Sequence, residues 1–245
     1  MIPKTIHYCW FGRKPIPDEY RQYIKSWAKY LPDYEIKEWN EDNYDVNCIP
    51  FSAEAYKIGK FAYVSDYARL KILYEHGGVY LDTDVELIKS LDPILAKGGF
   101  MAFEKNTNVT PFEILNVALG LGFAVEPYHP LIKEIMTFYE SHHYIYPDGH
   151  KEQITIVKIT TDILKQKGLN SSDTPTTIDG ITIYPWDYFC PVEFLSNKIE
   201  ITDNTYAIHH YSASWMSQWD KLMMKRGYYA NKVRKMLNLI SSKKK

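Results

Sequence analysis

No run of apolar residues in this 245-residue sequence approaches the ~18 residues of a membrane-spanning helix. Cysteine is scarce: Cys9, Cys48 and Cys190 are odd in number, far apart and form no Cys-x-x-Cys. That spacing argues against a disulfide framework and a thiolate zinc site, and it leaves buried free thiols. Internal repeats, low-complexity tracts and Gly/Ser linkers are lacking, which argues against a solenoid, a disordered chain or two tethered domains. Met1 to His7 lacks the basic-then-apolar layout of a secretory signal, so the expected location is the cytoplasm. A Gly-rich phosphate loop with its lysine is missing as well, which counts against a nucleotidyl- or phosphoryl-transfer enzyme of that type. Neither sign of charge dominates: 29 Lys and Arg face 30 Asp and Glu, for a net charge of −1. With no reader motif for nucleic acid either, no nucleic-acid partner is expected.

The chain does have enough apolar sequence for a sizeable core, 45% hydrophobic against 24% charged, as in ordinary globular domains. Its charge is unevenly spread. Nine of the 29 basic residues fall between Lys221 and Lys245, a stretch without acids, so an acidic globule ends in a basic tail. The expected organisation is one domain over 1–220 followed by a basic helix and tail over 221–245. That tail either packs on the domain and ends in solvated lysines, or lies on an anionic membrane surface at the inner face of the plasma membrane. The 21 Tyr and 6 Trp suit flat ligands such as sugars and nucleobases, and they fill cores equally well.

Periodicity sketches a mixed α/β chain. Lys4 to Trp10 reads as a strand, Pro17 to Leu31 as a helix and Tyr34 to Trp39 as a second strand, a strand–helix–strand start. Ser52 to Gly59 reads as a short helix. Ser65 to His76 reads as a longer one, with Ser65 as its N-cap and Gly77-Gly78 at its C-terminal end. Val79 to Leu81 and Gly99 to Phe103 read as strands, Leu131 to Tyr139 and Ile156 to Lys167 as helices. Gly168 to Gly180 reads as a surface loop, and Gly180 to Tyr184 and Tyr206 to His209 as strands. Asp220 to Ile240 is periodic enough for a terminal helix.

Chemistry concentrates in three places. In Gly77-Gly78-Val79-Tyr80-Leu81-Asp82-Thr83-Asp84, two carboxylates follow one apolar strand. Residues two apart on an extended chain point the same way, and open α/β sheets bind ligands at the carboxyl ends of their strands. Two close carboxylates repel unless a cation sits beside them, and Mg²⁺ or Mn²⁺ with oxygen ligands meets that need. The same tripeptide also occurs as a plain solvated turn. Upstream, Asp66 and Arg69 share a helix face, either as an acid near the helix start with an i,i+3 ion pair or as ligand-binding groups. In Ile208-His209-His210-Tyr211-Ser212-Ala213-Ser214-Trp215, one of two adjacent histidines can point at a given site, as a metal ligand or as a satisfied side chain. Trp10, at the end of the first strand, either stacks on a base or packs in the core.

Taken in order, KTIHYCWFG, SDYARLKILYEHGGVYLDTDVEL and AIHHYSASW resemble the Asp-x-Asp sugar-binding region family of retaining GT-A glycosyltransferases. That family includes bacterial capsule sugar transferases and Golgi mannosyl- and α1,4-glycosyltransferases. The resemblance implies a GT-A-like α/β domain with a mixed, mostly parallel sheet flanked by helices. It also implies a metal-dependent retaining hexosyl transfer from a nucleotide-sugar, with a UDP-sugar favoured. The acceptor would be a saccharide or lipid-linked saccharide in surface or capsular polysaccharide synthesis. A GDP-mannose-dependent mannosyltransferase and a non-catalytic sugar-nucleotide-binding domain are the other readings. By motif position, Trp10 would stack on the base. Ser65, Asp66, Arg69 and Tyr80 would line the donor site, with Asp66 and Arg69 holding sugar hydroxyls and developing charge. Asp82 would meet the ribose and, through water, the metal; Asp84 would ligate Mn²⁺ or Mg²⁺ directly. His210 would complete the metal shell, with His209 as the substitute, and Trp215 would meet the β-phosphate. No side chain stands out as a covalent nucleophile.

Overall fold

The computed structural model describes residues 1–105, 115–193 and 198–212. Trp215 and the 221–245 segment lie outside the described residues. The chain opens on the expected unit: β1 (Thr5–Cys9), α1 (Asp18–Tyr30) and β2 (Glu35–Trp39), with β1 and β2 parallel and Ile6 opposite Ile36. α1 starts behind Pro17, with Asp18 and Glu19 in its first turn, where carboxylates meet the positive end of the helix dipole. Trp27 on its buried face is fully enclosed, and its indole N–H donates to the Val85 carbonyl at 2.8 Å. That bond ties α1 to the segment just after the Asp-x-Asp motif.

α2 (Pro50–Lys57) and α3 (Phe61–His76) follow. α3 starts a full turn earlier than Ser65, so Ser65 is not its N-cap and Asp66 does not sit at its first turn. Gly59, at a φ of +71°, and Lys60 break the chain between the two helices, and Val64 is already fully buried. Core packing of that extra turn outweighs the capping preference of serine. Gly77 ends α3 with its N–H on the Leu73 carbonyl at 2.8 Å. β3 (Gly78–Tyr80) then runs parallel to β1. A Cβ at Gly78, where φ is +97°, would lie 2.6 Å from the Thr5 carbonyl oxygen, so glycine permits this strand pairing.

Next come β4 (Val85–Leu87), α4 (Asp92–Leu95), β5 (Gly99–Ala102), a 3₁₀ turn at Leu119–Leu121 and β6 (Phe123–Val125). α5 (Pro130–Ser141) and α6 (Ile156–Gln166) precede β7 (Thr176–Ile178) and β8 (Ile181–Tyr184). α7 (Trp186–Phe189), β9 (Val192–Glu193), β10 (Lys198–Ile199) and β11 (Ala207–His209) complete the described chain. Part of the expected 168–180 loop is thus a strand, β7, which pairs antiparallel with β8 as a hairpin around Asp179-Gly180.

The main sheet has seven strands in the order β2-β1-β3-β6-β5-β8-β7. Only β6 and β7 oppose the common direction, which gives the mixed, mostly parallel sheet expected. Strand alternation sends Cys9, Trp39, Tyr80, Met101 and Phe123 to one face, under α2, α3, α5 and α6. Ile6, Tyr8, Val79, Leu81, Phe100 and Ala124 face the other way, toward α1, α4 and α7. β4 and β11 form a separate antiparallel pair beside the main sheet. No described helix is long and apolar enough to cross a membrane.

Candidate active site

The Asp-x-Asp motif occupies the connection from β3 to β4. The two carboxylates converge there, but through a turn rather than a pleated strand: the Val85 N–H donates to the Asp82 carbonyl at 3.0 Å. β4 pairs with β11 so that Val85 lies opposite His209. That register carries His209 to the motif across more than a hundred residues of chain. Its Nε2 lies 3.2 Å from Asp84 Oδ1 and 4.0 Å from Asp82 Oδ2. Ligand atoms from Asp82, Asp84 and His209 all fall within 4.8 Å of one another. Two carboxylates and an imidazole are a donor set for a divalent cation of the Mg²⁺–Mn²⁺ type, so the residues present fit the metal that the motif implies.

His210, the expected ligand, is held elsewhere. Its Nε2 lies 2.9 Å from Glu86 Oε2, and its ring stacks on Tyr23 at 4.3 Å. Successive residues of a strand end face opposite ways, and here His209 is the one turned inward. The His210 backbone N–H still serves the motif, donating to the Asp84 carbonyl at 2.9 Å.

The electrostatics of the cluster are uneven. Burial raises the Asp84 carboxyl, but His209 and the Ser212 N–H, which donates to Oδ2 at 2.9 Å, outweigh it and hold the group at about 2. His209 is pushed up in turn: burial disfavours its charge, and Asp84 more than compensates. Arg69, reaching in from α3, bridges the other acids. Nη2 lies 3.2 Å from Asp66 Oδ1, Nη1 lies 3.2 Å from Asp82 Oδ1, and Nε donates to the Ser65 carbonyl at 3.1 Å. The guanidinium carbon sits 4.8 Å over the Tyr80 ring, whose hydroxyl donates to Asp82 Oδ1 at 3.0 Å. Burial dominates at Asp66 and lifts its carboxyl to about 6, although Arg69 pulls it down. The result is a cationic clamp between two carboxylates, next to a third that pairs with a histidine.

The structure therefore brings Asp66, Arg69, Tyr80, Asp82 and Asp84 together, with Ser65 contributing its backbone carbonyl. Trp10 stands apart. Its indole N–H donates to the Lys14 carbonyl at 2.6 Å, and its ring meets Tyr20 edge-on at 5.8 Å. It borders a groove of about 440 Å³ with Tyr8, Lys14, Ile16, Arg21 and Glu38. From Trp10 a row of rings leads along α1 through Tyr20 and Tyr23 to His210.

Sequence reasoning missed two residues at the site. The Gly120 carbonyl accepts from the Asp82 N–H at 3.3 Å, and a Cβ at Gly120 would overlap Asp82 Oδ2. The Leu119-Gly120-Leu121-Gly122 pattern was the available signal for a close approach. At Glu104, just past β5, burial pushes the carboxyl up, and the nearby His209 and Tyr211 pull against it. No motif marks it.

Residues 17–101 match the family model described as the glycosyltransferase sugar-binding region containing the DXD motif. About a third of the chain is thus similar to that region. It is 34% identical over 141 residues to an uncharacterized glycosyltransferase of Acanthamoeba polyphaga mimivirus, a match covering 55% of this chain and 54% of that one. It is 30% identical over 142 residues to inositol phosphoceramide mannosyltransferase 1 of Schizosaccharomyces pombe, covering 54% of this chain and 40% of the relative. The match thus spans about half the length of the curated relatives or less. Among solved structures, the PaToxG glycosyltransferase superposes with a TM-score of 0.52 at 20% identity, over 68% of this chain and 70% of that one. The likeness is one of fold, a GT-A-type α/β domain, as the resemblance implied.

Proposed function

We propose that this chain transfers a hexose, with retention, from a nucleotide-sugar to a saccharide or lipid-linked saccharide acceptor. The observation that carries the reading is the Asp82–Asp84–His209 cluster at the end of β3, with the Arg69 clamp beside it. A Mn²⁺ or Mg²⁺ ion held there supplies positive charge for a departing diphosphate. Asp84 and His209 would hold the ion directly, and Asp82 through water. Asp66, with its second oxygen unused by Arg69, takes donor-sugar hydroxyls. Arg69 keeps Asp66 and Asp82 in register and offsets charge as the glycosidic bond opens. Tyr80 fixes Asp82 by its hydroxyl bond and supports the guanidinium with its ring.

Each carboxylate at the cluster is already engaged: Asp66 and Asp82 by Arg69, Asp84 by His209 and Ser212. That supports a same-face displacement without a protein nucleophile. The acceptor oxygen bonds the anomeric carbon as the diphosphate oxygen leaves, and the leaving group takes the acceptor's proton. Trp10 serves the nucleobase in this reading. Cytoplasmic location and contact of 221–245 with an anionic membrane extend the proposal to a lipid-linked acceptor, as in capsule-type polysaccharide synthesis.

Two donors compete. The sequence resemblance favours a UDP-sugar, whereas the mannosyltransferase names of several curated relatives favour GDP-mannose. A turnover screen of UDP- and GDP-sugars with and without Mn²⁺, read by release of the nucleoside diphosphate, separates them. Metal-dependent release from one nucleotide class, lost in Asp84→Ala, supports the proposal. Binding of a sugar-nucleotide without turnover would favour the non-catalytic reading, and no binding of any would overturn both.

A further inference from the structure

Parallel pairing sets Tyr8 on β1 opposite Glu38 on β2, and the Trp10 N–H continues the ladder to the Trp39 carbonyl at 2.8 Å. Side chains two apart on a strand share a face, so Tyr8 and Trp10 converge with Glu38 and Asn40 past the carboxyl ends of the two strands. Tyr8, Trp10 and Glu38 line the groove of about 440 Å³ there. The same edge carries the Asp-x-Asp turn. His7 lies opposite Tyr80 in the next strand, so the segments at Trp10 and Asp82 leave adjacent parallel strands at the same end.

Glu38 is held as a fixed acceptor. Its Oε2 accepts from the Tyr8 hydroxyl at 2.8 Å, and its Oε1 accepts from the Asn40 side-chain amide at 2.8 Å. Asn43 locks the turn behind it: Nδ2 donates to the Glu38 carbonyl at 2.8 Å, and Oδ1 accepts from the Asn40 N–H at 2.9 Å. Both partners of the carboxylate are neutral. Lys14, Arg21 and Lys25 line the same groove, yet no cation among the described residues forms an ion pair with Glu38. Each of its oxygens keeps a second lone pair, which leaves a two-pronged anionic acceptor in a groove whose cations draw in an anion.

Such a carboxylate separates the nucleobases by their hydrogen-bonding edges. Guanine presents two adjacent donors, N1–H and the N2 amino group, which match the two oxygens. Uracil presents one N–H between two carbonyl oxygens, and those oxygens are repelled by a carboxylate. Adenine and cytosine place a ring acceptor beside their amino group. Stacking on an aromatic ring tolerates every base, so the choice falls to the carboxylate.

We propose that this groove is a guanine-selective base site, in which Glu38 accepts N1–H and N2–H of the base and Trp10 stacks on its ring, so that the donor is a GDP-sugar. The inference rests on the nucleotide-sugar reading of the site, and it names Glu38 as the residue that chooses between the two donor classes.

The test is calorimetric titration of the full chain with GDP, IDP and UDP in the presence of Mn²⁺, for the wild type, Glu38→Gln and Asp84→Ala. IDP is GDP without the 2-amino group, so it lacks one of the two hydrogen bonds. The wild type should bind GDP about 10-fold or more tightly than IDP, and about 100-fold or more tightly than UDP. Glu38→Gln, whose amide accepts only one of the two protons, should bring GDP down to the level of IDP and hold UDP within about three-fold of its wild-type affinity. A purely structural Glu38 would instead weaken all three nucleotides together in Glu38→Gln, and that result overturns the proposal. So does a wild type that binds IDP as tightly as GDP, or UDP more tightly than either; loss of that binding in Asp84→Ala would then leave the nucleotide-sugar reading standing. Should Glu38→Gln not fold, the wild-type comparison of GDP with IDP decides alone. A wild type that binds none of the three overturns the nucleotide-sugar reading and the base site with it.

Discussion

Arg69→Met is the perturbation that probes the clamp. The guanidinium makes three polar contacts, to Asp66, Asp82 and the Ser65 carbonyl, and lies over the Tyr80 ring. Arg69 and Asp66 are both largely shielded from water, with side chains 7% and 15% exposed. Methionine fills the volume of the stem but leaves two carboxylates with no cation. Removing one partner of a buried ion pair costs about 3–5 kcal/mol, because the other charge stays behind uncompensated. For a chain of this length that is a fall in melting temperature of roughly 6–20 °C. The penalty has a pH signature. Asp66 titrates at about 6 even with Arg69 present, above its unfolded value, so its burial weakens the fold as pH rises through that range. Without Arg69 the carboxyl moves higher still. Arg69→Met should therefore lose less stability at pH 5, where Asp66 is protonated, than at pH 7. The double variant Asp66→Asn with Arg69→Met should be more stable than Arg69→Met alone at pH 7. Urea unfolding by tryptophan fluorescence reads all of these. A loss under ~1 kcal/mol, or one equal at both pH values, would refute the reasoning.

Three further outcomes follow from the same contacts. His209→Ala should abolish Mn²⁺ binding by calorimetry while His210→Ala keeps it within about three-fold, since His210 is turned to Glu86 and Tyr23; equal losses would place the ligand wrongly. Gly120→Ala should displace Asp82 and weaken Mn²⁺ binding about 10-fold or more with little change in melting temperature; unchanged binding would show that the overlap is relieved without moving the carboxylate. His7 is buried beside Trp39, whose indole N–H donates to Nδ1 at 3.0 Å; burial first, then the nearby His76 and Lys37, depress it to about 4. A depressed histidine stabilises fully above its unfolded value near 6.5, and that contribution is lost as pH falls toward 4, up to about 3 kcal/mol. Urea midpoints between pH 7 and pH 4.5 should thus fall more steeply in wild type than in His7→Gln, and parallel slopes would remove the assignment.

Much of this site was legible because its chemistry is local. Asp66, Arg69, Tyr80, Asp82 and Asp84 lie within twenty residues, and helical spacing plus one strand brings them together. The apolar run before Asp82 also gave away β3, and Pro17 and Gly77 gave away helix ends. What stayed hidden depends on distant pairing. The choice of His209 over His210 is made by the register of β11 against β4, and β4 is a three-residue strand too short to show a period. β6, equally short, enters the sheet against the common direction. The start of α3 was misplaced because Ser65 carries a capping signal that burial of Val64 overrides. Glu104 and Gly120 join the site only through the order of strands β3, β6 and β5, which no local pattern encodes.

The most direct test of the central claim is an anomalous-difference map from crystals grown with Mn²⁺ and either UDP or GDP. The account predicts a single strong peak bonded to Asp84 and His209, beside Asp82, with the diphosphate of one nucleotide touching the ion. A peak on His210 and Glu86, or none at the Asp-x-Asp turn with nucleotide bound elsewhere, would contradict it.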